Sequence, residues 1–312
     1  MPSTRATRRV TLRDVAEASG VSQSTVSFVL NEVPNQTISA ATRERVRTAA
    51  RELGYVPNGI AKALMEGTSR IVVLNVDRPR EGHYSHHFIR GLDRELALFG
   101  FILLVRHGHA GPSDDKQIAD AISPRAVLRF GESYLSGQEL EDSGGGWKNG
   151  LAAHVLLQLR YLTEQGHTQI ALALPENEQL GEIRVRFAGE VAGMLEIPRP
   201  HTLTIPAGRE PAQATLAELR RNEPGVTAIA AFDDMTALRV LTAMSALRLS
   251  APDDMAVIGF DETEHAAMSR PSLTTIRMDA EGHGRLAARR VLGMDTSDIR
   301  ARLGRVIPRE SA

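Results

Sequence analysis

From Arg70 onward, short apolar runs alternate with stretches of helical periodicity, and this restricts the fold more than any other feature of the 312 residues. The runs RIVVLNV (70–76), FILLVRH (101–107), AVLRF (126–130), IALALP (170–175), AIAAFD (228–233) and MAVIGFD (255–261) read as buried strands. HHFIRGLDRELALFG, LAAHVLLQLRYLTEQGH, AGEVAGML, PAQATLAELRRN and MTALRVLTAMSALRL read as helices. Strands alternating with helices close as parallel sheets covered on both faces. The expected class is α/β, and ligands in such sheets sit beyond the carboxyl ends of the strands.

The residues before this region have a different character. Residues 1–70 carry ten Lys+Arg against six Asp+Glu, whereas the whole chain has a net charge of -1, so a basic head precedes an acidic body. Such a head suits a polyanionic partner. There is no cysteine, which excludes disulfides and thiolate metal sites. No signal peptide or membrane-length apolar segment is evident, and the expectation is a soluble, cytoplasmic protein.

Within the head, Thr11 suits an N-cap, and Leu12, Val15, Ala16 and Ala18 recur at helical spacing until Gly20. Ser22 caps a second helix whose Val26, Val29 and Leu30 pack backwards. Two short helices meeting at SGVS form a helix-turn-helix, whose second helix enters the DNA major groove. Gln23 and Ser24 are placed to read base edges. Thr25, Ser27 and Asn31 suit phosphate contacts, and Thr11 and Ser22 are counted with the DNA-facing set. A third helix, capped at Ser39, turns Val46, Ala49, Ala50 and Leu53 inward and Arg43, Arg45, Arg47 and Arg51 outward. Beyond Pro57, the segment around Leu64 and Met65 is a short potential helix, whose apolar residues suit either packing or a wedge between base steps.

VTLRDVAEASGVSQSTVSFVLN, ISAATRERVRTAARELGYVPN and IAKALMEGTS resemble the DNA-binding head and hinge of the LacI/GalR family of bacterial transcription regulators. EQGHTQIALA, RVRFAG, AIAAFDDMTALRVLTAM, APDDMAVIGFDET, RPSLTTIRMD and GRVIPRESA resemble landmarks of its body. The resemblance implies a small all-α helix-turn-helix head, a hinge helix and a two-lobed periplasmic-binding-protein-like core with parallel sheets. It implies a homodimer on a palindromic operator, with Leu64 inserted at its centre and Ala61 and Lys62 beside it at the minor groove. Phe28 stands where the family most often has an arginine that reads guanine, so reduced demand for that guanine is expected unless Phe28 packs into the head. Arg186 matches the arginine that grips effectors, Asp234 the acid that bonds ligand hydroxyls, and Tyr84 falls near an aromatic that covers a sugar face. The alternative for Arg186 and Asp234 is a mutual salt bridge.

Two departures from the family pattern stand out. Between Ala126 and Ala153 there is too little chain for the usual strand, helix, strand and Asp-containing loop, so the first lobe is expected to be shortened. His83, His86 and His87 follow the first strand of the body, and His107 and His109 follow the second. They suit a metal, an anionic ligand or plain solvation.

No nucleophile with a base, no catalytic carboxylate pair and no phosphate loop is found, so neither an enzyme nor a cofactor is expected. The expected organisation is a head over 1–57, a hinge over 58–68 and a core over 69–312. Its first lobe takes 69–147 and 278–303, and its second 148–277 and 304–312. The expected function is an effector-responsive, operator-binding repressor with DNA, a small molecule and a second copy as partners. The rival readings are a small-molecule binding protein with a vestigial head and a regulator whose core only dimerises.

Overall fold

The computed structural model describes residues 10–31, 36–55, 69–76, 83–108, 112–131 and 152–312. They divide between two compact units, Met1–Ser69 and Arg70–Ala312. The first unit holds α1 (Leu12–Ser19), α2 (Gln23–Leu30) and α3 (Ala40–Glu52). Each helix starts after a hydroxyl residue in extended conformation, whose side chain accepts a first-turn amide hydrogen: Thr11 from Asp14, Ser22 from Thr25 and Ser39 from Thr42. Gly20 ends α1 in the left-handed region at φ 68°, which lets α2 begin within three residues.

Val15, Val26, Val29 and Val46 are fully buried where the three helices meet. Leu53, expected to point inward, is instead 38% exposed. The helix ends at Glu52 and Leu53 is its C-cap, so helical spacing no longer sets its direction. Arg43, expected outward, is half-buried and donates to the carbonyls of Ile38 and Gln36.

The second unit has two parallel sheets. In the first, β1 (Ile71–Val76) lies between β2 (Ile102–His107) and β3 (Ala126–Arg129). It packs with α4 (His83–Leu98) through Val72, Leu74, Val76, Leu92 and Leu96. The short α5 (Pro112–Ile122) precedes β3; its polar sequence did not mark it as a helix. Residues 132–151, where a collapsed strand unit was expected, lie outside the described residues.

The second sheet has the order β5-β4-β6-β7, built from β4 (Ile170–Leu174), β5 (His201–Thr204), β6 (Ala228–Ala231) and β7 (Ala256–Ile258). One face buries Leu159 and Leu162 of α6 (Ala153–Glu164) and Phe187 and Val191 of α7 (Glu178–Met194). The other buries Leu216 of α8 (Arg209–Asn222) and Val240 and Met244 of α9 (Asp234–Ala246). After the short α10 (Glu264–Met268), β8 (Thr275–Arg277) pairs antiparallel with β9 (Arg305–Ile307).

Between β8 and β9 the chain returns to the first lobe as α11 (Ala280–Leu292) and packs closely on α4. The helices meet at glycines. A Cβ on Gly91 would fall on the Glu281 carbonyl oxygen, and one on Gly284 on the Phe88 carbonyl oxygen. Buried Glu95 of α4 joins Arg285 at 2.9 Å and Arg289 at 2.5 Å, which seals the same contact. At the far end of the chain, Ser311 fastens the second lobe: its carbonyl accepts from Val257 N at 2.7 Å and its hydroxyl donates to Val257 O at 2.6 Å. Among the described residues no helix is long and apolar enough to cross a membrane.

Candidate nucleic-acid face and strand-end site

On α2, the buried Val26 and Val29 define the inner face. At about 100° per residue, Ser24, Ser27, Phe28 and Asn31 fall on the opposite face. Gln23 and Ser24 are exposed at its leading turn. Ser27 and Phe28 are half-buried, and Asn31 donates from Nδ2 to the Ser27 hydroxyl at 3.2 Å. The apolar cluster of the unit takes its partly buried members from Val10, Leu12, Val21, Leu30, Ile38 and Tyr55, so the Phe28 ring is not part of that core. Ser22 and Thr25 lie hydroxyl to hydroxyl at 2.9 Å, and Thr11 is engaged with Asp14 in a capping box. These three therefore orient the helices. Ala61, Lys62 and Leu64 lie outside the described residues.

In the second unit, side chains gather at the carboxyl ends of β6 and β7. Asp233 caps α9, accepting from Thr236 N at 2.7 Å. The next residue, Asp234, has no exposed surface. Its carboxylate accepts from Thr263 N at 2.7 Å, the Thr263 hydroxyl at 3.0 Å and the Thr275 hydroxyl at 2.5 Å. Burial pushes its carboxyl up to about 6, against the hydrogen bonds that favour the charged form. Arg186, on α7, is exposed. The mutual salt bridge weighed for these two residues is not formed, because Thr263 and Thr275 hold the Asp234 oxygens.

Asp261, directly beyond β7, is the residue that reading of the sequence passed over. It adopts φ 112°, a conformation costly for a residue with a Cβ. Its carboxylate accepts the backbone hydrogens of His83 and Tyr84 at the start of α4, which links the two lobes. Burial, with the nearby charge of Asp234, raises this carboxyl to about 7. The available signal was its place in GFDET after a buried strand, the same position relative to β7 that Asp233 has to β6.

Tyr84 stands between the lobes. Its hydroxyl lies 2.9 Å from His283 Nδ1, and its ring lies about 6 Å from those of Phe130 and Phe260. Phe260 also stacks on His154 at 4.2 Å. His154 Nε2 is 2.6 Å from Arg184, a fully buried arginine that also donates to Gln158. Gln158 in turn donates to the carbonyls of Ala231 at 2.9 Å and Gly259 at 2.7 Å. This chain of polar contacts ties α6 and α7 to the ends of β6 and β7, and it was not legible from spacing.

The histidines do not form one group. His83 and His87 have ring centroids 3.8 Å apart on one face of α4, with His86 beside them. His107 ends β2, opposite Val76, and is exposed, while His109 lies outside the described residues. Among the described residues no group of three or more His, Asp or Glu is arranged to hold a metal ion.

Residues 11–58 match the family described as "Bacterial regulatory proteins, lacI family", and residues 159–312 match the "Periplasmic binding protein-like domain". The chain is 27% identical to the HTH-type transcriptional regulator CelR of Thermobifida fusca, over 94% of this chain and 95% of that protein. It is 25% identical to the HTH-type transcriptional repressor PurR of Pectobacterium atrosepticum, covering 92% and 91% of the two chains. In fold it is similar to the Lac repressor dimer bound to operator and an anti-inducer, with a TM-score of 0.72 and 22% identity, covering 97% of this chain and 99% of that one.

Proposed function

Because the chain belongs to the lacI family of bacterial regulatory proteins, we propose that it is a sequence-specific transcription repressor that binds a palindromic operator as a homodimer and answers to a small-molecule effector. The observation that carries this reading is the exposed part of α2, with Gln23 and Ser24 open at its leading turn and Ser24, Ser27, Phe28 and Asn31 opposite the buried valines. A helix so loaded suits a major groove, with Gln23 and Ser24 on base edges and Thr25, Ser27 and Asn31 toward phosphates. It works in the cytoplasm, where its DNA is, and has no catalytic role; the relatives it matches are regulators.

Pairing is supported by exposed apolar side chains. β2 is an edge strand, and Ile102 and Leu104 on it, with Leu98 at the end of α4, are exposed by 66%, 42% and 73%. In the second lobe, α9 and α10 pack together and leave Met235 and Met268 exposed. The domain limits that follow are a head over 1–57, a hinge over 58–68 and a core beyond. Arg186, exposed on α7, is proposed as an effector contact, and Asp234 as the residue that positions the strand ends around it.

Selection of duplexes from a random library by the full chain at near-physiological salt is the test. An inverted repeat is expected, with a flexible pyrimidine-purine step at its centre. Enrichment of sequence-independent, salt-sensitive binding alone would overturn the repressor reading. Phe28→Arg is expected to add a guanine preference at one half-site position, worth about 1–3 kcal/mol of discrimination, visible as a changed letter in the selected motif. Leu64→Ala is expected to weaken operator binding tenfold or more, in the range of about 1–3 kcal/mol of lost wedge contact, and to leave nonspecific binding nearly unchanged. Equal losses on both DNAs, measured by fluorescence anisotropy, would remove the wedge assignment.

A further inference from the structure

A cavity of about 580 Å³ opens beside the two segments where the chain passes between the lobes, 277–281 and 302–305, and is closed on its other side by the first turns of α4. Its charged lining includes Arg90, Arg277, Arg302 and Arg305 against Asp279 and Glu281. Both carboxylates are already committed. Asp279 accepts from Gly282 N at 3.0 Å and Arg302 N at 2.8 Å, which fixes the start of α11. Glu281 pairs with Arg90 at 2.7 Å and with Arg94 at 2.9 Å. Arg277 is paired with Glu262. Arg302 and Arg305 are exposed at the cavity, and among the described residues neither has an ion-pair partner. Among the described residues, two guanidinium charges in this lining are therefore uncompensated.

The imidazoles on the α4 side report the same environment. His83 is held below the ordinary histidine range by burial, with Arg277, Arg90 and His86 lowering it further and Glu262 opposing. His87 is lowered by burial and then by His83, Arg90 and His86, against Glu281. The cavity is of metabolite size, and its surplus charge matches one dianion. Guanidinium forks bind phosphate and carboxylate oxygens in pairs, and a phosphate monoester offers three such oxygens and close to two charges near neutral pH.

We propose that this cavity binds a small organic phosphate monoester, with its phosphate held by Arg302 and Arg305. This goes beyond the function proposed above, because the lining includes neither Arg186 nor Asp234 and the site is separate from the strand-end one. The position gives the ligand leverage. His83 and Arg90 belong to α4 in the first lobe, whereas Arg305 and Arg277 lie on the strand pair that joins the second. A phosphate ester spanning them binds more tightly at one lobe spacing than at another, and differential affinity of that kind shifts a conformational population.

The experiment is calorimetric titration of the full chain, without DNA, with glucose 6-phosphate, inorganic phosphate, glucose and succinate. Saturable binding of the two phosphates is expected, with no binding of glucose and at least tenfold weaker binding of succinate. The double variant Arg302→Ala/Arg305→Ala is expected to lose at least tenfold in phosphate affinity, with circular dichroism and melting temperature unchanged because both side chains are exposed. Absence of saturable phosphate binding, equal binding by the double variant, or succinate binding as tight as glucose 6-phosphate would each overturn the proposal. Operator selection is scored separately, so a failed titration leaves the repressor reading intact, and failed selection leaves this ligand site intact.

Discussion

Gly284→Ala lowers the melting temperature of the second unit by roughly 6–12 °C, the shift expected for about 3 kcal/mol of overpacking in a unit of this size. The new methyl group would occupy the position of the Phe88 carbonyl oxygen and lie 2.7 Å from the Leu92 amide nitrogen, so α4 and α11 must separate to admit it. Separation also stretches the pairs from Glu95 to Arg285 and Arg289, whose carboxylate is buried. A buried carboxylate losing its partners adds to the loss. Scanning calorimetry of the full chain makes the measurement, with Gly193→Ala as the comparison, since a Cβ there meets nothing within 4 Å. A Gly284→Ala protein melting within a degree of the parent would show that the helices yield freely.

The second large effect is a pH dependence carried by Asp261. Its folded-state carboxyl titrates at about 7, above the ordinary aspartate value of 3.8. The folded protein therefore binds more protons than the unfolded chain between about pH 4 and 7, and this group's contribution to stability falls as pH rises through that window. His283 works in the opposite sense over part of the range, because burial holds it down at about 4 and the folded state binds fewer protons there. Comparison with Asp261→Asn isolates the carboxyl. Asparagine keeps an acceptor for the amides at the start of α4 and carries no charge to desolvate. The variant is expected to gain on the parent as pH rises from 4 to 8, by on the order of 3 kcal/mol in total. Urea unfolding at several pH values reads it, and a difference that does not change with pH would show that Asp261 is not the titrating group.

Much of this architecture was legible where a residue's role depends on its near neighbours. The caps at Thr11, Ser22 and Ser39 and the valine stripes of the head follow from three- and four-residue spacings, and the structure has them in those roles. The six apolar runs became six strands: in β1, β4, β6 and β7 burial on both faces removes polar residues, whereas β2, expected to be buried, is an edge strand that leaves Ile102 and Leu104 exposed. β5 was missed for the converse reason: HTLT buries only Leu203 and lies at the sheet edge. The strand-end site was less readable. Asp234 and Asp261 each follow a buried strand, and only distant partners, Thr263 and the β8 residue Thr275 at Asp234 and the start of α4 at Asp261, give them different tasks. Arg184 and Arg186 are two residues apart on one helix, yet one is sealed against His154 and Gln158 while the other is exposed. Long-range contact made those distinctions, and spacing carries no record of it.

The glycine contact and the Ser311 fastening also set an order of events during synthesis. The first lobe begins at residue 71 but lacks a wall until α11, about two hundred residues later, has left the ribosome. In the second lobe Thr274 meets Ile258 earlier, but Val257 of β7 has to wait for Ser311. Neither lobe can finish alone, and α4 must wait with Gly91 and its charged flank uncovered. Contacts of such sequence separation fold slowly and leave apolar surface open in the interval. The head, whose apolar cluster falls within residues 10–55, draws its core from a short stretch of chain and can be folded while most of the body is still being made.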